Sequence, residues 1–156
     1  MFDPARCGGE QPRVVRGNWS REEPRLGAWG WGTSGPRDSE IEFPLRFGHA
    51  PRATIVYTRS YESFGDVVVS MRGGGPDGGG GGRVSNASFV ASGSGFEKQR
   101  ATQTSLLVLN VAQAGNEGHV GGVLGFGVAP YSNASLVFRF VSDPPLKFMI
   151  RLVSSC

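Results

Sequence analysis

Two runs in this chain, Glu40-Ile-Glu-Phe-Pro-Leu-Arg-Phe47 and Ala53-Thr-Ile-Val-Tyr-Thr-Arg-Ser-Tyr-Glu-Ser-Phe-Gly65, alternate apolar and polar side chains with a period of two. In the first, Ile41, Phe43, Leu45 and Phe47 fall on one side while Glu40, Glu42 and Arg46 fall on the other. That is the signature of a strand with one face in a core and one in water. The pattern commits the chain to sheet.

Strand-like runs recur from residue 40 onward. Residues 66–71 follow a turn at Gly65, and residues 84–90 form a weaker run closed by Ser92-Gly-Ser-Gly95. Residues 104–112 are apolar apart from Thr104, Ser105 and Asn110, which reads as a central strand buried on both faces. Residues 120–128 are interrupted by Gly121, Gly122, Gly125 and Gly127, as in a bulged strand or an irregular loop. Residues 135–141 place Leu136, Phe138 and Phe140 inward, and residues 146–153 place Leu146, Phe148, Ile150 and Leu152 on one face. No long amphipathic helix is present. The expected class is all-β, an antiparallel β-sandwich of jelly-roll-like form with about seven or eight strands.

At 156 residues the chain suits one domain. Residues 1–39 are rich in Pro, Gly and charge and hold all three tryptophans, so they read as an irregular linker and Gly/Trp loop leading into a sandwich over 40–156. Gly73-Gly-Gly-Pro-Asp-Gly-Gly-Gly-Gly-Gly82 has no side chains to bury, and it reads as a disordered loop.

Composition narrows the function. Net charge is +3, and arginines are scattered along the chain with Lys98 and Lys147 the only lysines. That is not a phosphate-tracking stripe, so no nucleic-acid partner is expected. No window approaches the length of a membrane span. Gly30-Trp-Gly-Thr-Ser-Gly35 matches the dinucleotide fingerprint by letter, but no strand leads into it and no helix follows, so no cofactor is expected. The histidines, His49 and His119, lie in separate loops without neighbours at ligand spacing, so no metal is expected. A glycosidase-type carboxylate pair would have to come from Glu40, Glu42, Glu62 or Asp66, which read better as solubilising residues along the strands. No catalytic residue is singled out, and the chain is read as a non-enzyme.

The site with chemical content is a corner. Tyr57, Arg59, Ser60, Tyr61 and Glu62, together with Trp29 and Trp31, combine aromatic faces with a polar cluster, a set that serves either to fix a loop or to hold a sugar by ring stacking and hydrogen bonds. Arg59 shares a face with Ile55 and Tyr57 and would need a carboxylate partner, with Glu62 and Asp66 near in sequence. A shared exposed ledge of the four aromatic residues would support ligand contact. Burial of all four would support scaffolding.

Three glycosylation acceptor sequences, at Asn18, Asn86 and Asn133, account for most of the asparagines, and they point to the secretory lumen or the extracellular space. Cys7 and Cys156 stand near the two ends. They are either joined, closing nearly the whole chain in an oxidising compartment, or unrelated thiols, or one pairs elsewhere. The first residues lack the apolar core of a signal peptide, so a secretory chain would carry its leader upstream; a cytoplasmic chain is the alternative.

The order Gly30-Trp-Gly-Thr-Ser-Gly-Pro, Glu40-Ile-Glu-Phe, Thr54-Ile-Val-Tyr-Thr-Arg-Ser-Tyr-Glu-Ser-Phe-Gly65 and Lys147-Phe-Met-Ile-Arg-Leu-Val-Ser154 resembles the β-sandwich region after the catalytic domain in SGNH-hydrolase-like proteins of plants and algae. It spans roughly residues 25–156, and its sharpest part is the Arg-Ser-Tyr-Glu corner. Phe64 stands where methionine is usual, and the glycine tract replaces the usual cysteines. The family's Gly-Asp-Ser block and Asp-x-x-His pair are absent from this chain. The resemblance implies a non-catalytic accessory module of a secreted or lumenal protein, with an attached hydrolase domain or a polysaccharide as partner. The alternative is a stand-alone structural or protein-interaction domain with no small-molecule ligand.

Overall fold

A computed structural model of the protein describes residues 8–9, 11–24, 26–73, 84–95, 102–110, 114–115 and 125–156. Cys7, His119 and the glycine tract beyond Gly73 lie outside the described residues. No helix occurs among the described residues, and no helix there is long and apolar enough to cross a membrane.

The strands are β1 (Gly8–Gly9), β2 (Arg13–Arg16), β3 (Ser20–Glu22), β4 (Gly30–Thr33), β5 (Glu40–Arg46), β6 (Arg52–Arg59), β7 (Asp66–Gly73), β8 (Val84–Ser92), β9 (Gln103–Asn110), β10 (Ala114–Gly115), β11 (Gly125–Phe126), β12 (Asn133–Phe140) and β13 (Phe148–Ser155). They form a larger sheet ordered β1-β5-β12-β7-β8, with β2 also paired to β5, and a smaller sheet ordered β3-β4-β13-β6-β9. Strands β10 and β11 pair only with each other among the described residues. Neighbouring strands within each sheet run antiparallel, and the chain repeatedly crosses between the sheets, as in a jelly-roll-like sandwich.

Alternation explains the core. Ile41, Phe43 and Leu45 of β5 point inward, and their partners across the ladder are Phe138, Leu136 and Ala134 of β12. Phe43 and Phe138 meet edge to face, with ring centroids 5.4 Å apart. From the smaller sheet Ile55, Tyr57, Phe148 and Ile150 close the layer, and Tyr57 stacks on Phe148.

Four features depart from the sequence reading. The expected linker over 1–39 contains β1 to β4, which extend both sheets and raise the strand count above seven or eight. These strands are short and β2 and β3 are exposed, so they carry no periodic signal; buried Trp19 and half-buried Trp31 anchor the segment to the core. The gap between β1 and β2 falls opposite Pro44, which has no N–H to give an edge partner.

Strand β9 stands last in the smaller sheet and is not a doubly buried centre. Leu109 is buried, but Leu106 and Val108 are 63% and 52% exposed. Its apolar residues occupy both faces, and only one face meets the core.

Strand β13 carries a bulge. Ile150 pairs with Tyr57 and Leu152 with Val56, so Arg151 is the extra residue and the alternation changes phase. Leu152 is therefore 53% exposed, while Val153 packs against the core.

Finally, Glu40 and Glu42 face outward but are buried beneath arginines. Arg13 pairs with Glu42, Arg16 with Glu40 at 3.2 Å, and Arg72 reaches Glu40 at 3.3 Å and Glu42 at 3.6 Å. Burial raises the Glu42 carboxyl, but hydrogen bonds from Arg13 and Ser135 and the charges of Arg13 and Arg72 outweigh it and hold the group below its ordinary value. These carboxylates tie β2, β5 and β7 together; they are not free solubilising groups.

Candidate functional site

The corner after β6 is where the chain leaves the smaller sheet for the larger one. Ser60 donates its amide to the Gly93 carbonyl and receives the Gly95 amide, while the Gly65 amide donates to the Lys147 carbonyl and the Lys147 amide to the Ser63 carbonyl. The Arg59 guanidinium donates to the Ser94 carbonyl through Nε at 3.3 Å and Nη2 at 3.0 Å. A Cβ at Gly95 would lie 2.7 Å from Arg59 Nη2, so glycine makes room for that clamp. Arg59 thus fixes the loop after β8.

The aromatic residues do not share one ledge. Trp29 is 49% exposed with Arg21 over its ring, Tyr61 is 36% exposed, Trp31 is half-buried and Tyr57 is 6% exposed. Burial pushes the Tyr57 phenol above its usual value against the opposing charge of Arg59. Tyr61 is raised instead by its bond to the Glu62 carboxylate. The outcome lies between the ledge and the scaffold.

A groove of about 440 Å³ opens over the outer face of the smaller sheet, beside this corner. Thr58 of β6 and Thr104 of β9 are cross-strand partners on its floor, and Met149 of β13 lies beside them. Ser60 and Thr102, joined by a 2.9 Å hydroxyl bond, form one wall. Glu22 and Arg151 rim one side, and Glu62, Phe64 and Lys147 rim another, with the Lys147 ammonium 5.2 Å from the centre of the Phe64 ring.

Local sequence builds this opening. A Cβ on Gly32 would lie 2.7 Å from the Glu22 carboxyl carbon, and one on Gly30 would meet the Ile150 carbonyl at 2.6 Å and Met149 Cε at 2.9 Å. Two glycines in β4 therefore let Glu22 and Met149 lie flat across the strand. The bulge places Arg151 at the rim, where its Nη1 donates to the Ala28 carbonyl at 2.6 Å.

Of the residues singled out from sequence, Ser60 and Glu62 line the groove; Trp29, Trp31, Tyr57, Arg59 and Tyr61 do not. The missed hydroxyl side chains include Thr58, Thr102 and Thr104. Only outward register in β6 and β9 would have marked Thr58 and Thr104.

Chemically the groove offers hydroxyls that donate and accept, a thioether and an aromatic edge, and charges of both signs. Among the described residues no three His, Cys, Asp or Glu side chains gather as a metal site. His49 stands apart, 6.0 Å from the Tyr131 ring. Cys156 is disulfide-bonded, and the chain's other cysteine, Cys7, is outside the described residues. Asn18 and Asn133 are exposed, and Asn86 lies in β8.

No family model matches the chain, and neither does any curated protein. Among solved structures, the chain is similar to a non-crystalline cellulose specific carbohydrate-binding module, CBM28. The two share 14% identity over 86% of this chain and 78% of that chain, with a TM-score of 0.49.

Proposed function

We propose that this chain is a non-catalytic β-sandwich module of the secretory pathway that holds a carbohydrate chain in the groove of the smaller sheet, beside an attached hydrolase-like domain. The observation that supports it most is the groove lining. Exposed Thr102 and Thr104, with Thr58 and Ser60 buried beneath them, line the groove with hydroxyls beside Met149, and the rim charges Glu22 and Glu62 are balanced by Lys147 and Arg151. A neutral, polyhydroxylated ligand with apolar ring faces meets such a surface without leaving a charge unpaired. A handful of net hydrogen bonds near 1 kcal/mol each gives a dissociation constant of roughly 0.1–1 mM. The hydrolase partner and the secretory location rest on the sequence resemblance and the acceptor sequences.

Affinity electrophoresis against soluble neutral and uronate-containing polysaccharides tests the reading. Retardation by a neutral polysaccharide, lost in Thr104→Trp, an exposed position of the lining, at unchanged thermal stability, supports it. Equal retardation of the wild type and Thr104→Trp, or none with any polysaccharide, overturns it.

The second reading is a protein-interaction domain. It is favoured by the exposed Leu106, Val108 and Leu152, which continue on the same sheet face beyond the groove through Val56. Loss of self-association or partner binding on Leu106→Ser, with no effect of Thr104→Trp, would select it.

A further inference from the structure

We infer that the folded protein carries N-linked glycans at Asn18 and Asn133. An acceptor sequence alone says only that transfer is chemically allowed. Transfer precedes folding, so a modified asparagine must end on the surface, because a buried glycan would bar the native packing. The structure meets that demand at both positions.

Asn133 opens β12 on the strand's outward side: it is exposed, while Ala134, Leu136, Phe138 and Phe140 alternate into the core. Its ladder partner is Arg46, at the exposed end of β5. Asn18 is exposed in the short crossing from β2 to β3, one residue beyond Gly17, whose Cβ would overlap Ser39. The neighbouring Trp19 is buried and fixes that crossing, so the Asn18 side chain stays in solvent.

Two further observations bear on the same conclusion. The disulfide at Cys156 belongs to an oxidising compartment, which is where N-linked transfer takes place. Neither asparagine lines the groove of the smaller sheet, so the glycans leave it unobstructed. Asn86 is outside the inference because its side chain is not among those described.

The test is expression of the full chain behind a secretory leader in eukaryotic cells, followed by enzymatic deglycosylation in heavy-oxygen water and peptide mass mapping. Release by the amidase converts each occupied asparagine to a labelled aspartate. Occupancy is read on wild-type protein, whether secreted or retained, so no variant has to fold. Label at both Asn18 and Asn133 in most molecules is the expected result, and Asn18→Gln and Asn133→Gln should each remove one glycan from the gel mobility. Either asparagine unlabelled in most molecules overturns the inference. The readout is independent of polysaccharide binding, so its failure and the failure of the groove reading are separable.

Discussion

The two outer faces of the sandwich use their polar residues in opposite ways. On the larger sheet Glu40 and Glu42 are consumed by Arg13, Arg16 and Arg72, in a network that joins β2, β5 and β7 and leaves the carboxylates almost without solvent. On the smaller sheet Thr102, Thr104 and Glu22 are exposed around open space, with Thr58 buried beneath them. Both faces carry polar groups, but those of the smaller sheet border a groove. The difference teaches that outward direction in a strand does not by itself mean availability.

The comparison breaks first where the charge network is cut. Glu40→Gln with Glu42→Gln should destabilise the fold by roughly 2–4 kcal/mol; the value is held below the full cost of breaking a buried pair because Arg13 and Arg16 are largely exposed and regain water. Denaturant melts read the loss, and polysaccharide retardation measured well below the midpoint should be unchanged. A loss under about 0.5 kcal/mol would mean that the network is only surface charge.

The same network has a pH signature. Because Glu42 is held below its ordinary value, its contribution is fully present above the carboxylate range and is lost as pH falls below that range through the folded value. The wild-type melting temperature should drop on acidification, and Glu42→Gln should flatten part of that drop. Parallel curves for the two proteins would remove Glu42 from the account.

Cutting the other face should cost binding and not stability. Thr104→Ala is expected to weaken retardation by a neutral polysaccharide about threefold to tenfold, equivalent to roughly 0.7–1.4 kcal/mol, with little change in melting. Smaller still, Trp29→Ala and Tyr61→Ala should change retardation less than about twofold, since neither side chain lines the groove. A tenfold loss from either would move the contact surface toward the corner.

Much of this fold is legible in the chain because one buried face imposes period two. Ile41, Phe43 and Leu45, or Leu136, Phe138 and Phe140, could hardly be arranged otherwise. Legibility fails where a side chain's fate depends on distant partners. Glu40 and Glu42 look solvated until Arg13, Arg16 and Arg72 are brought over them from other strands. The corner was visible because its residues are contiguous, and Arg59 acts there on the Ser94 carbonyl. The groove was not, since Thr58, Thr102, Thr104 and Met149 are unremarkable side chains until neighbouring strands of one sheet and a pair of glycines set them around a space.

The added residue in β13 reaches further than its own position. Beyond it Val153 rather than Leu152 turns to the interior, Ser155 reaches across to donate to the Arg46 carbonyl at 2.6 Å, and Cys156 trades backbone bonds with Arg52. Deleting that one arginine would rotate the whole tail by half a period, aiming leucine at the core and carrying the terminal sulfur away from its covalent mate. A single extra link thus acts as the indexing tooth that brings the end of the chain to its fastening.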